Sequence, residues 1–193
     1  MIIVYIHGAG ASKDSFNYLR EHLSDYKDVC FEYDTQDGFK QNLEKMSTRI
    51  AKLSKVFIVA HSMGGIYALH LASAFPKKVL GAVTLSTPYG GVEIADYAKF
   101  LFPFYRLIKD IGPNSKPVKF AESMEITHPW TNVVTTNGTS PWIHKPNDGV
   151  VTVASQKHHS GMELIELANN HYEVVISPKV VKIIEDRIKQ LGA

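Results

Sequence analysis

Ser62 has the sequence surroundings that most clearly predict chemistry. It directly follows the apolar, β-branched run 56–60 and His61, and after one residue two glycines open a helical pattern. A serine on a tight strand-to-helix turn presents its hydroxyl to a ligand, provided that small residues stand two positions before and after it. Ala60 and Gly64 occupy those positions. The spacing therefore predicts a nucleophilic serine, although a strand-helix turn with an incidental serine would also fit.

The start of the chain contains the groups that such a nucleophile needs for an oxyanion. An apolar run, 2–6, ends at the glycine-containing segment 7–10, where backbone N–H groups are free to point at a ligand. We assign one donor to Ala9 and the other to Met63, where the positive end of the following helix adds to the site. Nucleotide-binding motifs fail on spacing, because Lys13 stands where a dinucleotide fingerprint needs glycine and no Gly-Lys-Ser/Thr ends the loop.

Asp148 and His171 are the expected acid and base, since they follow the serine in the order serine, acid, histidine. Asp148 comes in a turn after the strand pattern 131–136, and His171 comes in a loop after the strand pattern 162–167. Active sites of open α/β sheets gather at such strand ends. Alone, these are an ordinary turn aspartate and an ordinary loop histidine, whereas their joint order predicts a catalytic triad.

The other titratable residues fit the site less well. We expect His61 to point away from the serine into the core, and His7 to stabilise its own loop. The two histidines at 158–159 are expected at the surface. Because neither H-E-x-x-H nor C-x-x-C occurs, we expect no metal site and no cofactor. Asp34 and Asp37 are reserve acids, although they precede the serine.

Five motifs together resemble the α/β-hydrolases, and within them the small bacterial lipases and esterases. They are His7-Gly8-Ala9-Gly10, Ala60-His61-Ser62-Met63-Gly64-Gly65, Ser86-Thr87-Pro88-Tyr89-Gly90-Gly91, Asn147-Asp148-Gly149-Val150-Val151 and Asn170-His171. The resemblance implies Ser62 as nucleophile, Asp148 as acid and His171 as base of a carboxylic ester hydrolase. A thioesterase, acyltransferase or amidase with the same triad is the alternative, because fold and triad do not set the substrate. A non-catalytic binding protein on the same fold is a third interpretation.

The order of elements predicts an α/β fold in one domain, 1–193. Strand patterns alternate with helical ones, which implies a parallel sheet with right-handed crossovers. We expect a three-layer α/β-hydrolase fold, with a minimal parallel sheet of about six strands and helices on both faces. The predicted strands are 2–6, 29–33, 56–60, 79–86, 131–136 and 162–167, and the predicted helices lie near 14–24, near 39–53, at 63–74 and from Ser177-Pro178 onward.

The segment 88–129 is an insertion that the core fold does not require. It is rich in aromatic residues, and it fits either a helix packed on the flank of the sheet or a small cap over Ser62. As a cap it would line an apolar acyl pocket and contact a lipid surface. We expect Tyr89 and Phe100 in the insertion, together with Trp142 after it, to contact the substrate.

Composition and charge limit the kinds of function that the protein can have. The 193 residues carry a net charge of +2 without a Lys/Arg cluster, so a nucleic-acid surface is not expected. The single cysteine, Cys30, gives no support for an oxidising compartment. The apolar start is too short for a secretory signal, and no run is long enough to span a membrane. We expect a cytoplasmic enzyme acting on a small ester or acyl substrate, of an oligomeric state that the sequence does not specify.

Overall fold

The computed structural model of the protein describes residues 1–93 and 106–192, and a six-stranded sheet lies at its centre. Neighbouring strands pair in parallel in the order β2-β1-β3-β4-β5-β6. The strands are β1 (Ile2–Ile6), β2 (Asp28–Phe31), β3 (Val56–His61), β4 (Val79–Leu85), β5 (Trp130–Thr135) and β6 (Glu163–Leu167). The predicted parallel sheet of about six strands is therefore confirmed.

Helices cover both faces of this sheet. The described helices are α1 (Asn17–His22), α2 (Phe39–Ala51), α3 (Met63–Ala74), α4 (Arg106–Ile111), α5 (Lys116–Glu122), α6 (Val153–Gln156) and α7 (Pro178–Leu191). Side chains of α2 and α3 pack in one apolar core and those of α1 and α7 in another. This arrangement is the three-layer α/β architecture expected from the alternating pattern.

β1 illustrates how the sequence separates the two cores. Successive side chains of a strand point to opposite faces of the sheet. Accordingly Val4 and Ile6 pack in the core beneath α2 and α3, whereas Ile3 and Tyr5 pack in the core beneath α1 and α7. All four side chains are buried, as expected for a strand inside a parallel sheet covered on both faces.

Several boundaries differ from the sequence prediction. The first predicted helix is shorter, because a 3₁₀ turn (Lys13–Phe16) capped by Ser12 precedes α1. Helix 63–74 is confirmed in full, and α7 begins at Pro178 as expected, without a capping hydrogen bond from the Ser177 side chain. β4 ends one residue early, at Leu85, because the next residue adopts a positive φ.

The second half of the insertion contains two short helices. Ala121 of α5 is buried in the core beneath α3, and His70 of α3 contacts the carbonyl oxygen of Pro117 at 3.0 Å. This part of 88–129 therefore packs against α3. Phe100 and the middle of the predicted cap lie outside the described residues. Among the helices of 1–93 and 106–192, none combines the length and the apolar run needed to cross a bilayer.

Candidate active site

Ser62 lies in a strained turn between β3 and α3. Its φ of 53° and ψ of −125° place a non-glycine residue in a sparsely populated backbone region, which costs about 1–3 kcal/mol. Two backbone hydrogen bonds hold the turn. The Ser62 N–H donates to Leu85 O at 2.8 Å, and the Gly65 N–H donates to Ser62 O at 2.9 Å. In this turn the Ser62 hydroxyl lies within hydrogen-bond distance of the His171 ring.

The small residues around the serine have a direct steric reason. A Cβ on Gly64 would lie 2.2 Å from the carbonyl oxygen of Ile6, so the start of α3 sits against the end of β1. A Cβ on Gly8 would lie 3.1 Å from the Ser62 Cβ. The loop that follows β1 is thus packed directly on the serine turn.

Ser62, His171 and Asp148 form one hydrogen-bonded row. His171 Nε2 lies 3.1 Å from Ser62 Oγ, and His171 Nδ1 lies 2.8 Å from Asp148 Oδ2. The backbone also joins the last two residues, since the His171 N–H donates to Asp148 O at 2.9 Å. All three side chains are buried. When the proton of the neutral ring is on Nδ1 and is donated to the carboxylate, Nε2 is the acceptor that faces the serine hydroxyl.

Asp148 is held by more donors than the histidine alone. The backbone N–H groups of Val150 and Val151 donate to its Oδ1 at 3.0 and 2.8 Å. Thr135 Oγ1 and Gln156 Nε2 donate to its Oδ2 at 2.6 and 3.1 Å. Burial opposes ionisation of the carboxyl, but the hydrogen bonds outweigh it and lower its pKa below the usual range. Asp148 is therefore a carboxylate at neutral pH.

Sequence reasoning missed Thr135 and Gln156. Both are polar and buried, one at the end of β5 and the other at the end of α6. The only signal in the sequence is a threonine that closes an apolar strand pattern, which does not point to a particular partner.

His61 and His7 occupy buried positions on either side of the serine turn. The His61 Nε2–H donates to His171 O at 2.8 Å, so this histidine packs in the interior, as expected, and also contacts the backbone of His171. Burial and the neighbouring His171 lower the His61 pKa to about 3, which keeps His61 neutral. His7 stacks on Tyr33 with ring centres 4.4 Å apart, and its Nδ1–H donates to Gly8 O at 2.8 Å. These contacts confirm that His7 stabilises its loop.

The remaining titratable residues singled out in the sequence include the predicted surface histidines and a reserve acid. His158 contacts Glu122 at 2.8 Å at the surface, but His159 is 6% exposed, so its expected surface position is wrong. The Asp34 carboxylate caps the 3₁₀ turn Thr35–Asp37 by accepting from the Gln36 N–H.

The predicted oxyanion donors are placed at adjacent elements. Ala9 follows the end of β1, and Met63 opens α3 directly after the serine. Within the described parts of the chain, neither N–H donates to a protein acceptor. The contact of Gly8 with the serine turn brings the two elements together.

The predicted substrate contacts have three different outcomes. The prediction for Tyr89 is wrong, because its ring is fully buried and its hydroxyl donates to Thr84 Oγ1 at 2.8 Å and accepts from Trp130 Nε1 at 3.0 Å. Trp142 is 76% exposed and lines a cavity of about 250 Å³ with Ile143 and Val150. Phe100 lies outside the described residues. No group of three His, Cys, Asp or Glu side chains in those described residues is arranged to hold a metal ion.

Comparison with known protein families identifies the family of this chain. The chain is a member of the alpha/beta hydrolase family, whose model matches residues 3–176. Triacylglycerol lipase 2 of Saccharomyces cerevisiae is 31% identical over 133 residues, which cover 52% of this chain and 40% of the yeast protein. The chain thus matches less than half the length of that relative.

Solved structures support the same fold. A metagenomic carboxyl esterase, MGS0156, superposes with a TM-score of 0.76 at 15% identity, over 100% of this chain and 75% of that chain. A monoacylglycerol lipase of Paleococcus ferrophilus superposes with a TM-score of 0.67 at 16% identity, over 98% of this chain and 93% of that chain. At these identities the likeness establishes the fold.

Proposed function

We propose that the protein is a serine hydrolase that cleaves carboxylic esters through an acyl-enzyme. The observation that carries the proposal is the buried row in which His171 contacts Ser62 at 3.1 Å and Asp148 at 2.8 Å. A serine with a base in hydrogen-bond reach, itself oriented by a carboxylate, is the arrangement that activates a hydroxyl for attack on a carbonyl.

The chemistry follows from the placement of each proton. As Ser62 Oγ attacks the ester carbonyl carbon, its proton moves to His171 Nε2. The charged imidazole is stabilised by Asp148, and the same proton is then delivered to the leaving alcohol. The N–H groups of Ala9 and Met63 are the donors to the oxyanion. Water activated by His171 then hydrolyses the acyl-enzyme and restores the serine.

The relatives support an ester as the substrate class. The yeast relative is named a triacylglycerol lipase, and the two structural neighbours are named a carboxyl esterase and a monoacylglycerol lipase. We keep Trp142 as a proposed substrate contact, because the cavity that it lines with Ile143 and Val150 adjoins the turn of Asp148, to which Val150 donates a backbone hydrogen bond. Glu93 and Lys145 also line this cavity and form an ion pair at 2.8 Å.

The test is hydrolysis of p-nitrophenyl esters from short to long acyl chains by the wild type and by Ser62→Ala. We expect turnover that falls by roughly 10⁴–10⁶ in the variant, because the nucleophile is lost while the fold is kept. Ser73→Ala is the matched control, since Ser73 is an exposed serine on α3. Wild-type turnover in Ser62→Ala would remove the proposal, and a folded wild type that cleaves only thioesters or amides would assign it to the alternative acyl-transfer class.

A further inference from the structure

Two buried side chains contact the acid on the side that faces the base. Thr135 and Gln156 both donate to Asp148 Oδ2, the same oxygen that accepts from His171 Nδ1. The other oxygen is held by backbone N–H groups within three residues of Asp148, which belong to its own turn. The two side chains are thus the donors that reach the reacting oxygen from elsewhere in the fold.

Gln156 is fixed so that its amide hydrogen points at the carboxylate. Its Oε1 accepts from the Thr135 N–H at 2.8 Å, and its Nε2 donates to Thr135 O at 3.0 Å. The second Nε2 hydrogen is then directed at Asp148, at 3.1 Å. In addition, Asn132 Nδ2 donates to Gln156 O at 2.8 Å, which anchors the backbone of the residue. An inverted amide would break both contacts with the Thr135 backbone.

Thr135 is fixed by a second hydroxyl. A hydroxyl has one proton to donate, and the 2.6 Å contact assigns that of Thr135 to the Asp148 carboxylate, in preference to Gln156 Oε1 at 3.2 Å. Ser86 Oγ lies 2.7 Å from Thr135 Oγ1 and is therefore the donor in that pair. Ser86 is fully buried and has a positive φ of 52°, so the end of β4 is strained where it supports this contact.

A buried carboxylate needs such donors for two reasons. Without partners it takes up a proton rather than stay charged in a dry site. Rotation about its Cβ–Cγ bond would also move Oδ2 off the line to His171, and each donor on either oxygen opposes that rotation. Donors on Oδ2 oppose both changes at once.

We propose that Thr135 and Gln156 are positioning residues for ester hydrolysis, which keep Asp148 charged and its Oδ2 aimed at His171 Nδ1. The inference rests on the proposed function, because it requires that the Asp148–His171 pair serve as the base. Neither side chain touches the serine, so both act through Asp148 alone.

The pH profile distinguishes positioning from a general structural role. The active pair holds an ionised Asp148 and a neutral His171, and among the described residues the titratable side chains of His61 and Tyr172 pack against the His171 ring. Loss of a donor to Oδ2 destabilises the charged carboxylate, so the pair takes up its proton at a higher pH. The acid limb of kcat/KM therefore moves upward, by about one pH unit for the loss of one such hydrogen bond.

The experiment measures kcat/KM against pH with p-nitrophenyl butyrate for Thr135→Val, Thr135→Ser and Gln156→Met. We expect a loss of about 10- to 100-fold in Thr135→Val and Gln156→Met, together with the upward movement of the acid limb. Thr135→Ser keeps the hydroxyl and is expected to stay near the wild type. Thr131→Val is the matched control, since Thr131 is a buried threonine of β5 whose hydroxyl bonds to Arg187 instead.

A second measurement tests the inference without depending on which ester the protein hydrolyses. The rate at which a fluorophosphonate labels Ser62 is followed by mass spectrometry over the same pH range, with urea midpoints to check folding. Unmoved acid limbs in both Thr135→Val and Gln156→Met, or equal losses in Thr131→Val, would overturn the inference. A wild type that neither cleaves esters nor takes up the label would instead overturn the proposed function.

Discussion

Gly64→Ala is the substitution whose effect follows most directly from the packing of the serine turn. The added Cβ would lie 2.2 Å from Ile6 O and 2.8 Å from His7 O, whereas ordinary contacts begin at 3.4 Å. The start of α3 would have to move away from β1 by 1.2 Å, which is the difference between 3.4 and 2.2 Å. Both obstacles are backbone carbonyls, so no side-chain rotation relieves the clash.

The expected cost has a stability part and an activity part. Overpacking of this kind costs about 3 kcal/mol, and the better helix propensity of alanine returns about 1 kcal/mol, which leaves a net loss near 2 kcal/mol. A shift of about 1 Å also separates the Met63 N–H from the loop that carries Ala9. Misplacement by that distance lowers the rate by about 100-fold.

The assay combines urea unfolding with p-nitrophenyl ester kinetics on Gly64→Ala and on Gly192→Ala. Gly192 is the control because the nearest atom to its added Cβ is Lys189 O at 3.8 Å. An unfolding free energy within about 0.5 kcal/mol of the control, together with wild-type kcat/KM, would refute the argument that β1 and α3 are in backbone contact at the site.

Two further predictions concern the buried acid and a buried histidine. Asp148→Asn should lower kcat on the order of 10⁴-fold, because an amide nitrogen facing Nδ1 selects the wrong tautomer of His171. Ester hydrolysis kinetics at neutral pH check this prediction. Near-normal turnover would mean that another residue is the acid. In the folded protein the pKa of His61 is about 3, below its ordinary value of 6.5. Between these two pH values the unfolded chain therefore binds one more proton than the folded chain. The free energy of unfolding accordingly decreases as the pH falls from 6.5 toward 3. Urea unfolding from pH 7 to pH 5 should therefore show a shallower pH slope in His61→Gln, by a difference that approaches about 1.4 kcal/mol per unit toward pH 5. The exposed His144→Gln should keep the wild-type slope. Equal slopes in all three proteins would contradict a buried neutral His61.

Local patterns were sufficient to predict the sheet and the order of the site residues. β1 and β3 are continuous apolar runs, and α3 starts where two glycines follow a serine, so short-range rules locate them. Asp148 and His171 could be predicted because each lies in a loop directly after a strand. Chain order together with a parallel sheet places both loops at one edge.

Long-range hydrogen bonding was beyond the reach of those rules. Gln156 meets Asp148 only because α6 folds back against the end of β5, and Tyr89 is buried only because Thr84 and Trp130 satisfy its hydroxyl across two strands. No periodicity in the sequence encodes these pairings. The sequence pattern therefore predicts that Tyr89, an aromatic residue in the insertion, contacts the substrate, whereas its side chain is part of the core.

β4 (Val79–Leu85) separates the strand that leads to Ser62 from the strand that precedes Asp148, and it contributes no residue to the row itself. Parallel strands are about 4.8 Å apart, so β3 and β5 are about 9.6 Å apart. The imidazole of His171 joins the loops that follow these two strands, with contacts of 3.1 Å to Ser62 and 2.8 Å to Asp148. Backbone pairing with β4 fixes the separation of the two strands from which those loops start. The connection between β4 and β5 can therefore change in length or sequence while pairing with β4 keeps β3 and β5 in place.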